Sequence, residues 1–395
     1  MYNIIDIDGG VCASAGFFAD GVSAGLKPNN AKDMAFIYSD TLCEIASVST
    51  TNKMTAAPIR HFRNKGDFKT NFVVINSKNA NAMTGLAGIK DIEEILDEVT
   101  SNHQDIQNPV MSSTGVIGVR VPKQKLIDGT KLFNLTKKDS LSASKAIMTT
   151  DSFNKQISFK VELKDGSSFN IGAIAKGAGM INPAMATMLC FITTDADVSK
   201  SEMQEILNEV TKTTFNAASV DGDTSTNDTV LLLSNAKSGV YNAKAFKDAL
   251  HKIMLFLAKE MVRDGEGATK LVTYNITGAK DDKEAEKVAK ALSNSLLMKT
   301  ALYGQDPNWG RVASTVGASG VECDEQTLKI SFDEYCVYDS GNLYFDEEME
   351  SKTAKVMQKD IFTISCDLGV ADGCFKAYGC DLGYEYVKIN ADYRT

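Results

Sequence analysis

A run of small and polar residues that ends at a threonine, with an apolar stretch after it, constrains this chain more than any other feature. The run is Lys176-Gly-Ala-Gly-Met-Ile-Asn-Pro-Ala-Met-Ala-Thr187, and Met-Leu-Cys-Phe-Ile192 follows it. The glycines allow a tight connection before Thr187, and the apolar stretch predicts a buried strand that holds its hydroxyl in place. Cleavage of the Ala186–Thr187 bond would give one residue both a nucleophile and a basic α-amino group. The segment therefore suggests a self-cleaving threonine, with a structural threonine at the start of a strand as the alternative.

The composition is that of an ordinary soluble globular protein. The chain has 395 residues, 43% of them hydrophobic and 24% charged, which is enough for more than one core. Its net charge is −9, and the sequence contains no cluster of lysine and arginine. Nucleic-acid binding is therefore not expected, and the acidic surplus is explained by solubility.

The N-terminus and the cysteines point to a reducing, cytoplasmic environment. The chain begins Met-Tyr-Asn-Ile-Ile-Asp without a basic region or an apolar core, so no signal peptide is predicted, and no apolar stretch is long enough to span a bilayer. The eight cysteines are scattered, with no Cys-x-x-Cys pair. We therefore expect reduced, mostly buried thiols and no metal site.

The spacing of apolar residues predicts a mixture of helices and strands. Helices are predicted where apolar residues recur every three or four positions, at residues 89–101, 201–215, 241–263 and 283–297. Strands and hairpins are predicted at residues 71–77, 156–163, 167–173, 328–338, 343–345, 362–368 and 384–390. Hairpins mixed with helices favour a layered α+β fold. A composition shift predicts a catalytic domain at residues 1–280 and a smaller C-terminal α/β domain at 281–395.

Histidine chemistry is a weak explanation for any activity of this chain. The three histidines, His61, His103 and His251, have no partner at a catalytic spacing, and no Gly-x-Ser-x-Gly motif is present. Another base is therefore needed. A free α-amino group, whose intrinsic pKa is roughly 7.7–8.0, suits that role near neutral pH.

Three polar segments are further candidates, each with a structural alternative. Thr114 and Gly115 could stabilise an oxyanion, or could form an ordinary turn. Glu266, between two glycines, could bind a cationic amine, or could lie at a glycine-type helix end. The loop 221–228 lacks the glycine and acid positions of a calcium-binding loop. Hydrogen-bonded turns are the simpler explanation for that loop, and it could also brace an active site.

Taken together, these segments resemble the ornithine acetyltransferase (glutamate N-acetyltransferase) family of arginine biosynthesis over essentially the whole chain. The matching motifs are Gly9-Gly-Val, Asn76-Ser-Lys-Asn-Ala-Asn81, Ser113-Thr-Gly-Val-Ile-Gly118, Met148-Thr-Thr-Asp151, Lys176-Gly-Ala-Gly-Met-Ile181, Met185-Ala-Thr-Met-Leu189, Ser219-Val-Asp-Gly-Asp-Thr-Ser-Thr-Asn-Asp228, Arg263-Asp-Gly-Glu-Gly-Ala-Thr269, Tyr303-Gly-Gln-Asp-Pro-Asn-Trp-Gly-Arg311, Gly379-Cys-Asp-Leu382 and Asn390-Ala-Asp-Tyr-Arg-Thr395. The resemblance implies an αββα sandwich similar to that of self-cleaving N-terminal-nucleophile aminopeptidases.

The resemblance also implies a reaction and the residues that perform it. Cleavage between Ala186 and Thr187 would give chains 1–186 and 187–395, assembled as an α2β2 heterotetramer. Thr187 would take the acetyl group from N2-acetylornithine and pass it to glutamate in a ping-pong reaction. Thr114 and Gly115 match the oxyanion-hole pair of the family. The family's substrate-binding positions match Thr150, Lys176, Thr187, Glu266, Asn390 and Thr395.

Some points remain open after the resemblance is taken into account. No cofactor is implied, but some family members also use acetyl-CoA as a donor, and no sequence motif separates them from the rest. An N-terminal-threonine amidase or aminopeptidase, which passes the acyl group to water, is the alternative enzyme. A binding protein that has lost catalysis on the same scaffold is the non-enzyme alternative. Partners other than small substrates and copies of the chain are not expected.

Overall fold

The computed structural model describes residues 1–182 and 188–392. Its strands are β1 Tyr2–Asp6, β2 Phe17–Val22, β3 Met34–Ser49, β4 Thr70–Asn76, β5 Val110–Ser113, β6 Lys155–Leu163, β7 Ser168–Lys176, β8 Leu189–Thr194, β9 Ala218–Ser219, β10 Thr229–Ser234, β11 Leu271–Ala279, β12 Lys329–Phe332, β13 Tyr335–Asp339, β14 Asn342–Leu343, β15 Ile361–Asp367 and β16 Gly373–Gly379. Its α-helices are α1 Ala57–Asn64, α2 Gly85–Asn102, α3 Lys123–Thr130, α4 Ser140–Ile147, α5 Lys200–Thr213, α6 Ala243–Arg263, α7 Asp282–Asn294, α8 Leu296–Tyr303, α9 Trp309–Ala318, α10 Glu347–Gln358 and α11 Tyr384–Asp392.

The long strand β3 joins two sheets in the first part of the chain. Its first half pairs with β2 and β4, and its second half pairs with β10. The register shifts between Tyr38 and Cys43, where the strand passes from one sheet to the other. The strand order is β1-β6-β7-β8-β10-β3-β4-β5, with β2 on the other side of β3.

The two sheets pack face to face between two layers of helices. Along β8, Leu189 and Phe191 lie in the core between the sheets, whereas Cys190 and Ile192 lie in the core formed with α5 and α6. This alternation is what the period of a strand requires. A third core packs α1, α2 and α3 on the outer face of β3 and β4. The result is an αββα sandwich, as the sequence predicted.

A separate sheet in the last third of the chain has its own core. Its strand order is β14-β13-β12-β15-β11-β16-β9. Helices α7, α9 and α10 pack against it through apolar residues that include Val288, Val312 and Val356. The short strand β9 joins this sheet beside β16, whereas Ala218 and Val220 pack in the core formed with α5 and α6, so the segment that leads into the loop after Ser219 connects the two parts of the molecule. The boundary at residue 280 remains a prediction.

The predicted helices and strands are largely confirmed, with three corrections. The segment 384–390, predicted as a strand, is the helix α11. Its alternating tyrosines and charged residues imitate a period of two. In the helix, Asn390 lies one turn after Tyr386, and its side-chain Nδ2 donates a hydrogen bond to the Tyr386 carbonyl. The strand predicted at 328–338 is split into β12 and β13 by a turn at Asp333, whose φ is 47°. The helix predicted at 283–297 breaks at Ser295, which ends α7 and caps α8. Among the described residues, no helix is long and apolar enough to cross a membrane.

Candidate functional site

A cavity of about 160 Å³ brings together six of the residues predicted to carry function. They are Thr114, Gly115, Thr150, Lys176, Glu266 and Asn390. The cavity is also lined by residues that were not predicted as site residues, namely Thr149, Gly179, Met180, Asp221, Asp223 and Tyr386. The predicted nucleophile Thr187, its neighbour Ala186 and the C-terminal Thr395 lie outside the described residues.

The described residues on both sides of the gap at 183–187 are anchored in the sandwich. Lys176, at the end of β7, pairs with Leu189, at the start of β8. The Met188 N–H donates to Asp228 Oδ1 at 3.0 Å. Asp228 is fully buried, and burial raises the pKa of its carboxyl well above the usual range. Its Oδ2 has no hydrogen-bond partner among the described residues. A buried carboxyl is therefore fixed against Met188, the residue that follows Thr187 in the chain.

Gly115 occupies a position that only glycine fits. Its φ is +134°, and a Cβ atom at this residue would lie 2.2 Å from the backbone carbonyl carbon of Lys78. Thr114, the residue before it, donates its backbone N–H to the Asn76 carbonyl at 3.0 Å. The chain leaves β5 at Ser113, so Thr114 and Gly115 follow a buried strand directly. Close backbone packing therefore fixes the loop that was predicted to stabilise an oxyanion.

Two buried asparagine side chains hold the Thr114–Gly115 loop and its neighbours in place. Asn76 Nδ2 donates to the Asn79 carbonyl at 2.9 Å, and Asn227 Nδ2 donates to the carbonyls of Ala80 at 2.6 Å and Ser113 at 2.8 Å. Asn76 and Asn227 are buried, so each bond replaces a lost contact with water. Asn227 belongs to the loop 221–228, so that loop contacts the segment of Thr114 and Gly115, and its bracing of an active site stays a prediction. A braced loop provides the fixed dipoles on which oxyanion stabilisation depends.

A buried ionic cluster supports the cationic end of the cavity. Lys155 is fully buried and donates to Asp151 at 2.9 Å and also to Asp264. Lys176 Nζ lies 4.0 Å from the second oxygen of Asp151, which also accepts the Gly177 N–H at 2.7 Å through its first oxygen. Burial alone would raise the pKa of Asp151, but Lys176 and Lys155 outweigh it and hold that pKa at about 2. Burial lowers the pKa of Lys176, and Asp151 opposes that shift. Two lysines and two aspartates thus balance each other behind the cavity.

Glu266 defines the anionic end of the cavity. Its backbone N–H donates to the Ala178 carbonyl at 2.8 Å, and its carboxylate accepts a hydrogen bond from Asn390 Nδ2 at 2.8 Å. A Cβ atom on Gly179 would lie within 2.6 Å of the Glu266 carboxylate, so the glycine makes room for it. The segment that begins at Lys176 therefore has the lysine ammonium at its start and packs against the Glu266 carboxylate at Gly179, three residues later.

Asp221 and Tyr386 complete the cavity, and neither was predicted to do so individually. Asp221 accepts the N–H groups of Met180 at 2.7 Å and Ile181 at 2.9 Å, and Tyr386 Oη donates to it at 3.3 Å. Burial raises the pKa of Asp221 above its usual value. The aspartate ties the loop before residue 183 to α11. The sequence did not indicate that Tyr386 lines the cavity, because its segment was predicted as a strand; only the structure shows this position.

The arrangement suits a small molecule with charges of both signs. Lys176 is a buried cation and Glu266 is a half-buried carboxylate of the same cavity. The loop of Thr114 and Gly115 lies beside them. A volume of about 160 Å³ suits a small molecule rather than a polymer. Within residues 1–182 and 188–392, no group of three or more metal-ligating side chains is found.

Comparisons with known proteins place the chain in a family. Residues 18–395 match the model of the ArgJ family. The arginine biosynthesis bifunctional protein ArgJ of Wolinella succinogenes is 58% identical over the full length of both chains. That of Synechocystis is 40% identical over 98% of both. A crystal structure of ArgJ from Bacillus halodurans covers 51% of this chain and 98% of its own, at 40% identity and a TM-score of 0.49. Because the family model and the relatives match almost the entire chain, it belongs to the ArgJ family.

Proposed function

We propose that this chain moves the acetyl group of N2-acetyl-L-ornithine to L-glutamate through an acetyl-Thr187 intermediate. The observation that carries the proposal is the single cavity that contains Lys176, Glu266 and the Thr114–Gly115 loop. The relatives are named arginine biosynthesis proteins, which supports a reaction of that pathway. The exchange releases ornithine and places its acetyl group on glutamate, so the acetyl group is recycled and arginine biosynthesis takes its cyclic form.

Self-cleavage would first prepare the nucleophile. The Thr187 hydroxyl oxygen attacks the Ala186 carbonyl carbon, the C–N bond between them breaks, and the hydroxyl proton passes to the freed nitrogen. Water then hydrolyses the resulting ester and releases the carboxylate of Ala186. The products are a chain 1–186 and a chain 187–395, which we propose to remain together as a cytoplasmic α2β2 heterotetramer. The new α-amino group is the base for the next step.

Transfer then takes place in two halves. The Thr187 oxygen bonds to the acetyl carbon, its α-amine takes the hydroxyl proton, and that proton leaves on the departing amine of ornithine. The Thr114 hydroxyl and the Gly115 N–H would donate to the oxyanion of each tetrahedral intermediate. The amine of glutamate then attacks the acetyl-enzyme, which releases the Thr187 hydroxyl and N-acetylglutamate. A covalent intermediate of this kind gives ping-pong kinetics.

The charges of the cavity account for substrate recognition. Lys176 would bind a substrate carboxylate, and Glu266 would bind the side-chain ammonium of ornithine. Thr150, Asn390 and Thr395 would donate hydrogen bonds to the polar ends of the substrates. A truncation that removes Thr395 would remove part of the proposed site.

Two other reactions could use the same nucleophile. The relatives are called bifunctional, so acetyl-CoA is proposed as a second acetyl donor to glutamate, with no bound cofactor. An amidase with the same nucleophile would pass the acetyl group to water instead. The effect of added glutamate distinguishes a transferase from an amidase. If glutamate accelerates the release of ornithine and becomes acetylated, the chain is a transferase.

The proposal is tested by the intact mass of the denatured wild type and of Thr187→Ala, followed by the transfer assay. We expect wild type to give two fragments that meet at Ala186 and Thr187, and the variant to give one chain without activity. An active wild type that remains uncut would show that the α-amino mechanism is wrong. An active Thr187→Ala variant would show that Thr187 is not the nucleophile.

A further inference from the structure

A groove of about 610 Å³ lies next to the catalytic cavity and has a different charge. It is lined by Lys27, Ala31, Lys32, Lys145, Met148, Thr149, Asp151, Ser152, Phe153 and Asn154. We call it the lysine groove. None of its lysines was predicted to have a function.

The fold assembles the lysine groove from distant parts of the sequence. Lys27 and Lys32 flank a short 3-10 helix, Pro28–Asn30, whereas Lys145 lies in the last turn of α4. Lys27 Nζ connects the two parts, because it donates to the carbonyl of Lys32 at 2.9 Å and to that of Ala146, next to Lys145, at 3.2 Å. The lysines are therefore held near one another although more than a hundred residues separate them in the chain.

The carboxylates near the lysine groove each have partners of their own. Both oxygens of Asp33 accept backbone N–H groups, among them that of Lys27 at 2.9 Å. Asp151 is paired with Lys155 inside the protein. Lys32 lies 3.5 Å from Asp20, and Lys145 is exposed and forms no ion pair with a described residue.

Three lysines and one aspartate line the lysine groove, and that aspartate is already paired with Lys155, so the lining carries a surplus of positive charge in a chain whose net charge is −9. Lys27 is half-buried, and burial lowers its pKa to about 8, with Lys78 and Lys176 adding to that effect and Asp33 and Asp151 opposing it. Positive charge concentrated in a concave surface attracts anions and raises their local concentration.

The lysine groove and the catalytic cavity are adjacent. Thr149 lines both of them, and its backbone N–H donates to Asp151 Oδ2 at 3.0 Å. Thr150, the next residue, lines only the cavity, and Met148, the residue before, lines only the groove. A molecule with its anionic end in the lysine groove can thus extend past Thr149 and present its other end to the cavity.

We propose that the lysine groove binds the phosphate groups of an acyl thioester donor, the chemical class to which acetyl-CoA belongs. This inference rests on the proposed function, since the acetyl group must reach the same nucleophile. There the Thr187 oxygen bonds to the acetyl carbon, the C–S bond breaks, and the hydroxyl proton is transferred to the departing thiolate. Lysines suit this task because each offers a compact charge to a phosphate without demanding a fixed geometry. Acetylornithine has no phosphate and would not need the groove.

The first test compares two acetyl donors with glutamate as the acceptor. In Lys145→Glu we expect kcat/KM for acetyl-CoA to fall roughly tenfold, because a charge that attracts phosphate is reversed. The rate with acetylornithine should change less than about twofold. Lys27 is left intact because it also binds backbone carbonyls. The matched control is Lys164→Glu in the exposed turn between β6 and β7, which should alter neither rate.

A second measurement separates failure of the groove from failure of the proposed function. Calorimetric titration of wild type and Lys145→Glu with CoA should show binding that weakens in the variant and with added salt. Titration with dephospho-CoA should show weaker binding to wild type. If the wild type neither binds CoA nor uses acetyl-CoA, or if Lys145→Glu lowers both donor rates equally, the inference is overturned while acetylornithine transfer stands. If neither donor acetylates glutamate, the proposed function fails, and CoA titration alone decides the lysine groove.

Discussion

The two ends of the catalytic cavity are constructed in opposite ways. At the cationic end, Lys176 lies on a sheet strand, and the cluster of Lys155, Asp151 and Asp264 behind it is almost completely buried. We call this the buried wall. At the anionic end, Glu266 is held by the helix α11, in which no residue is buried. We call this the helix wall.

The difference shows how one site can serve two substrates in turn. Charges inside the protein are held by one another, so moving the buried wall would leave ions without partners. The helix wall touches the rest of the molecule through few contacts, such as that of Tyr386 with Asp221 and the close packing of Gly267 against α11. Elements with few buried contacts open at low free-energy cost. We therefore expect the buried wall to be rigid and the helix wall to adapt as ornithine leaves and glutamate enters.

The largest effect is expected from Lys155→Met, which breaks the buried wall. The variant leaves the carboxylates of Asp151 and Asp264 buried without their shared cation, and this should lower the free energy of unfolding by about 3–5 kcal/mol. Urea denaturation followed by circular dichroism measures it.

The matched control for Lys155→Met is Lys160→Met on the same strand. Lys160 pairs with Glu162 at 2.6 Å, but both side chains are well exposed. An exposed pair of this kind is worth about 0–1 kcal/mol. If the two variants lose the same free energy of unfolding, the buried ion pairs stabilise the protein no more than an exposed pair does. The proposed contrast between the buried wall and the helix wall would then be wrong.

An intermediate effect is expected from Glu266→Gln, which removes the charge of the helix wall. The amide can still accept the hydrogen bond of Asn390, so the geometry should persist while attraction for the ammonium of ornithine is lost. A hydrogen bond to a charged group contributes about 1.5–3 kcal/mol, so KM for acetylornithine should rise roughly 10- to 100-fold. The free energy of unfolding should change little, because Glu266 is only half-buried.

Steady-state kinetics with each substrate test this prediction. Glu385→Gln is the control, since Glu385 is an exposed residue of α11 that lies 3.4 Å from Lys388. Equal changes in both variants would mean that general charge, and not Glu266, attracts the substrate. A fall in kcat at constant KM would assign Glu266 to the chemical step instead.

Much of the sandwich could be predicted because its elements carry strong periodic patterns. The spacing of Ile92, Ile95, Leu96 and Val99 predicts α2, and the apolar run after Thr187 predicts β8. Lys176 and Glu266, which the family resemblance implies as substrate-binding residues, both line the cavity, and their binding role stays a prediction. Local pattern was sufficient wherever a residue's environment is set by its chain neighbours.

The remainder depends on contacts between distant segments. No local pattern distinguishes Lys155, and only the fold places Asp264, more than a hundred residues away, against it. The lysine groove could not be predicted for the same reason, because its lysines come from segments that are distant in the sequence. In α11 the local pattern was misleading, because a helix whose residues all remain at least partly accessible has no apolar stripe to reveal its period.

The smallest effect is expected from Tyr386→Phe, and it is the one that tests whether the helix wall adapts. The variant loses only the hydrogen bond from Tyr386 to Asp221, which is worth about 0.5–1 kcal/mol, so KM should rise about two- to fivefold. Tyr384→Phe is the control, because Tyr384 is 81% exposed and keeps its ring contact with Tyr303. Hydrogen exchange should show faster exchange in α11 of Tyr386→Phe, with the melting temperature unchanged. A lower melting temperature would instead mean that α11 is part of the cooperative core, because a helix that adapts must loosen without unfolding the sandwich to which it is attached.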